Sequence, residues 1–358
     1  MTDRAFWRGR RVFLTGHTGF KGSWATLWLR HLGAEVVGYA LDPPSEPNLW
    51  RLLDLGDEIT DLRGDIRNGA RTARAIADAA PEIVLHFAAQ SLVREGYKSP
   101  VDTYAINVMG TAHVLEAVRA VDSVRAVVVV TTDKCYDNRE WVWPYRENEA
   151  MGGKDPYSSS KGCAELVTAA YRDSFFSSPD TPMIASARAG NVIGGGDWAT
   201  DRLLPDLMRG ALSGEPVHIR SPHAVRPWQH VLEPIAGYLR LAEALCGDDG
   251  ATYAEGWNFG PVLDDAKSVG WIVRHIAKRC DASSWPGLEW REDPGPHPPE
   301  AHTLKLDSSK AAALLDWRPR LRLGTALDWT AEWFAGYRDE VDVRALSENQ
   351  VLRYQEFV

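Results

Sequence analysis

Cysteine, positive charge and long apolar runs are all scarce in this chain. The four cysteines, Cys135, Cys163, Cys246 and Cys280, lie scattered through 358 residues with no CxxC pair. That spacing argues against a zinc site or a disulfide framework and for reduced thiols. No apolar run approaches membrane-spanning length, and the charged stretch from Arg8 to Arg11 leads straight into a first strand, so neither a membrane span nor a secretory leader is predicted. The cytoplasm is the expected location. Lys and Arg total 40 against 49 Asp and Glu, a formal net charge of -9. No basic face is advertised to nucleic acid or an anionic membrane, and neither is an expected partner. An internal repeat and a low-complexity tract are also missing. Tryptophan, by contrast, is plentiful at 15 residues, most of them expected in the core.

The pattern that is present alternates strand and helix. Val12 to Thr15 is a short apolar run that stops at glycines. A helical pattern runs from Ser23 to Leu32, Gly33 ends it, and Glu35 to Leu41 reads as a second strand. Further strands are predicted over Ile83 to Ala88, Val124 to Thr131 and Met183 to Ala189, with helices over Thr111 to Val121 and Lys161 to Phe176. The four consecutive valines of 127–130 suit a strand buried on both faces. After Gly194-Gly195-Gly196 the segments shorten and Pro, Trp and Arg intersperse, and the prolines of 280–300 mark a loop. The expected architecture is α/β: a doubly wound parallel sheet of Rossmann type over 1–190, and a smaller C-terminal substrate-binding lobe over 191–358 with some segments returning to the first domain.

Residues 15–22, Thr-Gly-His-Thr-Gly-Phe-Lys-Gly, follow a strand and open a helix with GxxGxxG spacing. Gly16 permits the tight turn, Gly19 admits a pyrophosphate to the backbone, and Gly22 lets helix pack on strand. A Cβ and imidazole at His17 would crowd that approach, which predicts a loosely held dinucleotide. An acid is expected at the end of the second strand to take the adenosine ribose hydroxyls. The position aligned there is Ala40, and Asp42 lies two residues on. No Arg follows directly to hold a 2′-phosphate, which favours NAD over NADP. Asp42 reads equally well as a solvated turn residue before Pro43-Pro44. Asp65-Ile66 is placed to contact the adenine edge.

Tyr157 and Lys161 form YxxxK at the head of a helix, four residues apart on one face. A nearby ammonium favours the phenolate, so the Tyr157 pKa is expected to fall toward working pH. The phenolate can then deprotonate a sugar hydroxyl while hydride leaves the same carbon. Upstream, the valine strand ends in Thr131-Thr132-Asp133-Lys134, placing charge at its carboxyl end, where ligands of such sheets bind. An ordinary solvated strand terminus would look the same. Asn191 and the turn Gly194-Gly195-Gly196-Asp197-Trp198 suit a phosphate and sugar site, or a plain interdomain loop. Arg202, Arg220 and Arg226 are spaced through the lobe, and Arg is a natural diphosphate clamp. His297 and His302 have no partner set for a metal, and none is expected.

These motifs together resemble the extended short-chain dehydrogenases/reductases that act on nucleotide sugars. Within them, the 4,6-dehydratases place an acid after the Thr at the fourth-strand end, here Thr132-Asp133. The residue after the acid is Glu in the dTDP-glucose enzymes and Lys, here Lys134, in the CDP-glucose group. The blocks TGHTGFKGSW (15–24), TTDKCYDNREW (131–141), GGKDPYSSSKGCAELV (152–167), ARAGNVIGGGDWA (187–199) and RPWQHVLEP (226–234) carry the likeness along almost the whole chain. The resemblance implies bound NAD, CDP-glucose as substrate, and removal of water to give a 4-keto-6-deoxy sugar for surface polysaccharide. It implies catalytic roles for Thr132, Asp133, Lys134, Tyr157 and Lys161, with Lys134 taking the C5 proton and Asp133 protonating the departing C6 hydroxyl. It places Phe20, Ala88, Ala89, Gln90 and Asn107 at the cofactor and Ser91 at the substrate, and makes Arg226 the favoured diphosphate ligand. It also implies a homodimer built on the helix around Pro100 to Val121 and that of Lys161 to Phe176, with Leu166, Ala169, Ala170 and Phe176 as apolar positions. A dehydratase of another nucleotide sugar, dTDP-glucose or GDP-mannose, and a nucleotide-sugar 4-epimerase are the alternatives.

Overall fold

A computed structural model describes residues 2–282, 285, 287–293, 295–296 and 301–357, the side chains of 281 and 282 excepted. Seven strands form one parallel sheet: β1 Arg11–Thr15, β2 Glu35–Ala40, β3 Thr60–Arg63, β4 Ile83–His86, β5 Ala126–Val130, β6 Met183–Ala189 and β7 Gly256–Phe259. Their spatial order is β7-β6-β5-β4-β1-β2-β3. The chain therefore leaves β1 in one direction and resumes at β4 on its other side. The crevice at the carboxyl ends of β1 and β4 is the topological switch point where such sheets take their ligands.

Local chemistry sets the boundaries. The helix α1, Phe20–Leu32, stops because Gly33 turns left-handed at φ 87°. The helix carrying the Tyr-Lys pair, α2, Pro156–Phe175, starts at Pro156 because Asp155 caps it, accepting from the Ser158 N–H at 3.0 Å. Burial differs from expectation at its far end: Phe176 turns into the core and its neighbour Phe175 is exposed. Residues 105–109 widen into a π turn between the short helix Pro100–Tyr104 and the helix Gly110–Val118, a feature no periodicity announces.

Apolar side chains cover both faces of the sheet, with Trp24, Trp28, Trp257 and Trp333 fully buried on one of them and Phe13, Val127 and Ile184 on the other. Beyond β6 the chain forms three two-stranded pairings, Val192–Ile193 with Gln229–His230, Val225–Pro227 with Ala266–Ser268, and Val217–Ile219 with Trp290–Glu292. The last of these interrupts the segment expected to be a plain loop. Backbone pairing with Val217–Ile219 gives Trp290–Glu292 the partners that its proline-rich surroundings lack. His297 lies outside the described residues. Strand β7 returns to the main sheet, Gly256 opposite Ser186 and Phe259 opposite Ala189. Among the described residues no helix is long and apolar enough to cross a membrane, and no group of three or more His, Cys, Asp or Glu side chains could hold a metal ion.

Candidate active site

The glycine turn is built by contact. Gly16 sits at φ 77°, and a Cβ there would stand 2.7 Å from the Ala88 nitrogen; a Cβ on Gly22 would stand 2.0 Å from the Gly16 carbonyl oxygen. Only hydrogen fits at either place. Gly19 caps α1 without a side chain, and a Cβ on it would meet only the Gly16 oxygen, at 3.4 Å. The N–H groups of Phe20, Lys21 and Gly22 have no acceptor within their own helix, so the turn presents the dipole-favoured end of α1 to an anion.

The opposite wall is held from below. The Thr15 hydroxyl accepts from the Phe87 and Ala88 N–H groups, both at 3.1 Å, and lies 2.8 Å from His86 Nδ1. Burial, then the Lys161 charge, draws the His86 pKa down to about 3, so the ring is neutral and Nδ1 is free to accept the Thr15 proton. Asn107, on the π turn, accepts from the Gln90 N–H and donates to the Gln90 carbonyl and the Ser160 hydroxyl at 2.9 and 2.8 Å. Ala88, Ala89 and Gln90 thus form a fixed, small-residue ledge across from the glycines.

Three adenosine-side expectations need correction. The His17 imidazole does not crowd the turn: it is fully buried, with its Nε2 2.8 Å from Asp61 and its ring edge-on to Trp50. Gly38 leaves it that space, since a Cβ there would stand 2.5 Å from the ring. The reason for loose cofactor retention lapses with that geometry. Arg63 is the second correction. No Arg directly follows Asp42 in sequence, yet the pairing of Ala40 with Arg63 brings a guanidinium to it, 3.6 Å from Asp42 and 2.7 Å from Asp61. These acids engage its charge, and Asp42 itself is largely exposed. Third, the Ile66 side chain is buried beneath Gly110 and so presents no side chain to an adenine edge, while the Asp65 carboxylate pairs with Arg67 at 2.6 Å and remains partly exposed.

At the carboxyl end of β5 the candidate catalytic groups meet. Thr132 caps a single helical turn over Asp133–Cys135, and its hydroxyl donates to Asp133 Oδ1 at 3.0 Å while also lying in reach of the Tyr157 phenol. Asp133 is 1% exposed, and its Oδ2 has no hydrogen-bond partner. Burial raises its pKa, against the pull of Lys134, so the group favours its protonated form. The Lys134 ammonium stands 5.9 Å from the centre of the Tyr157 ring. Lys161 donates to the Val130 carbonyl at 3.1 Å, and burial brings its pKa to about 8. The phenol departs from expectation. Burial pushes Tyr157 up to about 12, outweighing the Thr132 hydrogen bond that lowers it. In the protein itself desolvation of a phenolate wins, and the Lys161 ammonium is directed to a backbone carbonyl.

Two supporting residues escaped the reading of the sequence. Glu165, one turn beyond Lys161 on α2, accepts from Thr131, from Ser186 at 2.6 Å and from Arg188 at 2.7 Å. Arg188 in turn donates to the Tyr136 hydroxyl at 2.7 Å. This buried ion pair ties α2 to the ends of β5 and β6 and so holds Lys161 against the Thr-Asp-Lys turn. The signal was an arginine inside the apolar strand Met183–Ala189 with a glutamate four residues after Lys161.

On the lobe side, Arg202 reaches Asp197 at 3.2 Å and Ser91 at 2.8 Å, so the structure joins these three candidates across the crevice. Arg226 is buried, donates to the Val225 carbonyl at 3.0 Å and acts on Asp133 through its charge. The His302 carbonyl lies 3.4 Å from the same guanidinium. Asn191 stands at the start of the paired strand Val192–Ile193, its carbonyl accepting from Gln229. Arg220 is directed to Asp201, at 3.5 Å, which Arg94 also contacts at 3.0 Å. Trp198 departs from the expected sugar-contact role: its indole is 7% exposed and packs edge-on to Phe334 and Tyr337 at 5.1 and 5.0 Å, a core position.

A profile of the GDP-mannose 4,6 dehydratase family matches residues 13–329. The chain belongs to that family. It is 51% identical to the CDP-glucose 4,6-dehydratase of Salmonella typhimurium over 99% of this chain and 98% of that protein. It is also 26% identical to a dTDP-glucose 4,6-dehydratase of Xanthomonas campestris, covering 90% and 92%, and 28% identical to a UDP-glucose 4-epimerase of Rhizobium leguminosarum, covering 91% and 98%. Among solved structures, the dTDP-glucose 4,6-dehydratase of Bacillus anthracis in complex with NAD superimposes with a TM-score of 0.75 at 21% identity, over 94% of this chain and all of that one. The UDP-glucose 4-epimerase of Thermotoga maritima with UDP-glucose does so with a TM-score of 0.77 at 22% identity, covering 91% and 99%. At these identities the superpositions speak for the fold.

Proposed function

We propose that this chain is an NAD-dependent lyase that removes water from CDP-glucose to give CDP-4-keto-6-deoxyglucose. The observation that carries the reading is the buried Asp133 carboxyl, with one oxygen unpartnered, placed between Tyr157, Lys134 and Arg226. An epimerase has use for Tyr157 and Lys161 but none for an acid at that place. The 51% identity over the full chain supports CDP-glucose as the substrate within the dehydratases.

The glycine turn, the Ala88–Gln90 ledge and Lys161 fit a dinucleotide: two Cβ-free contacts and a bare helix end form a cradle for its pyrophosphate. Bound NAD supplies a hydride acceptor and donor and, when oxidised, a positive charge that favours the phenolate. Tyr157 removes the proton of the C4 hydroxyl as hydride would leave C4 for the oxidised nicotinamide, with Thr132 orienting the phenol. The resulting 4-ketone acidifies C5. Lys134, as its free amine, takes the C5 proton, and Asp133, whose acid form burial favours, delivers its proton to the departing C6 hydroxyl; return of the hydride to C6 and of the proton to C5 would complete the 4-keto-6-deoxy sugar. Arg226, Arg202 and Asn191 hold the diphosphate and sugar, with Ser91 and Asp197 orienting Arg202. Arg220 sits farther out, paired with Asp201. Asp42 takes the adenosine ribose, with Arg63 beside it.

Incubation with CDP-, dTDP-, GDP- and UDP-sugars plus NAD, read by product mass, tests this. Loss of one water from CDP-glucose in preference to the others is expected. Inversion at C4 without loss of water replaces the reading with an epimerase.

The assembly we propose is a homodimer in the cytoplasm, serving deoxysugar supply for surface polysaccharide. Exposed apolar side chains gather on the two helices expected to form the interface: Val101 at 79%, Met109 and Tyr104 on one, Leu166 at 60% and Phe175 on the other. Monomers rarely leave such a set in water. Light scattering at micromolar concentration is expected to return twice the 39.7 kDa chain mass, and a Leu166→Glu variant to shift it toward monomer.

A further inference from the structure

Lys21 is the residue of the glycine turn that the mechanism above does not use. It follows Gly19 by two positions, on the first turn of α1, and is partly buried. Its ammonium donates to the Tyr238 hydroxyl at 3.3 Å and lies 5.5 Å from the centre of that ring. Among the described residues no carboxylate forms an ion pair with it. The charges it feels are chiefly those of Lys161 and Arg202, which oppose it; the Asp133 carboxyl, whose acid form burial favours, attracts it only when ionised. So a cation anchored in the cofactor turn reaches the catalytic centre and stays there without a matched anion. Burial costs this ammonium dearly and brings its pKa to about 7. A neutral side chain of that length would fill the space at no such cost. Tyr238 supplies a hydroxyl acceptor and a ring face, the surroundings that hold a cation without neutralising it.

We propose that Lys21 is a second cofactor-facing cation, besides Lys161, whose charge favours the reduced nicotinamide over the oxidised one. The oxidised ring is positively charged and the reduced ring is neutral, so a fixed positive charge near the reaction centre destabilises the first only. The consequence for the reaction is that oxidation of the sugar at C4 is assisted and hydride return is disfavoured to the same extent. The inference rests on the reading that hydride transfer takes place at Tyr157 and Lys161.

The test is the ratio of dissociation constants for NAD and NADH, measured by calorimetry on nucleotide-free protein at pH 6, below the Lys21 pKa, where its charge is present. In Lys21→Met the ratio Kd(NAD)/Kd(NADH) is expected to fall by about three- to thirty-fold, the span for one charge several ångströms away in surroundings between water and a protein surface. Lys21→Arg, which keeps the charge, is expected to stay within about threefold of wild type. Lys21→Gln serves as the neutral variant if the Met protein does not give a native circular dichroism spectrum. Equal weakening of both nucleotides would make Lys21 a phosphate or packing contact and overturn the proposal, as would an unchanged ratio. No sugar substrate enters the measurement. A failure of dehydration in the nucleotide-sugar panel therefore strikes the functional reading, while a constant ratio strikes Lys21.

Discussion

Tyr157→Phe is expected to lower CDP-glucose turnover by about a hundred- to ten-thousand-fold, the usual worth of a placed proton-transfer group. The ring is buried in a packed site and Phe fills the same volume, so only the hydroxyl beside Thr132 is lost. Thermal unfolding and the amount of NAD bound are expected to match wild type. A folded Phe variant that kept most of its activity would remove Tyr157 from the role assigned to it. The measurement is informative because the protein by itself holds the phenol near pKa 12. If activity rises with pH well below that value, the charge that brings the phenol into range comes from bound cofactor together with Lys161.

Asp133→Asn is expected to block elimination without blocking oxidation. Asn keeps the size of the side chain and a hydrogen bond to Thr132 but has no proton to deliver to the leaving hydroxyl. Net dehydration is expected to fall by about a hundred- to ten-thousand-fold. In a single-turnover experiment the absorbance of reduced nicotinamide is expected to appear and persist, whereas in wild type it is transient. Lys134→Met is expected to show the same trapped signal, because loss of the C5 proton also follows oxidation. A Lys134 variant that dehydrated at the wild-type rate would move the base elsewhere, with Tyr157 the neighbouring group to examine.

The parts of the site that could be read from the chain are those where one short segment carries its own chemistry. Gly16, Gly19 and Gly22 declare themselves because the turn, the phosphate approach and the helix contact all fall within seven residues. Tyr157 and Lys161 do so because a helix puts positions four apart on one face. Thr132, Asp133 and Lys134 stand out because charge follows abruptly on five buried strand residues. Five strands of the sheet were legible within a residue or two, since runs such as 126–130 have no polar face to present to water, while the short strands Thr60–Arg63 and Gly256–Phe259 at its two edges were not read.

What the chain concealed was set by neighbours distant in sequence. Sheet pairing of Ala40 with Arg63 brought an arginine to Asp42 that no local motif shows. Space left by Gly38 drew His17 into the core and away from the phosphate path. Trp198 could be placed near the crevice by its motif, but only packing against Phe334 and Tyr337 decided which way the indole points. The Tyr157 phenol was expected to be acidified by Lys161; desolvation by the folded surroundings prevailed. The same holds for the Glu165–Arg188 pair and for Lys21. Residue types and spacing determined the reaction class and the groups able to perform it, because proton transfer and phosphate binding need particular atoms in short-range order. Protonation state, side-chain direction and the cationic surroundings of the crevice were decided by tertiary structure, because burial and long-range charge depend on which distant segments close around each group.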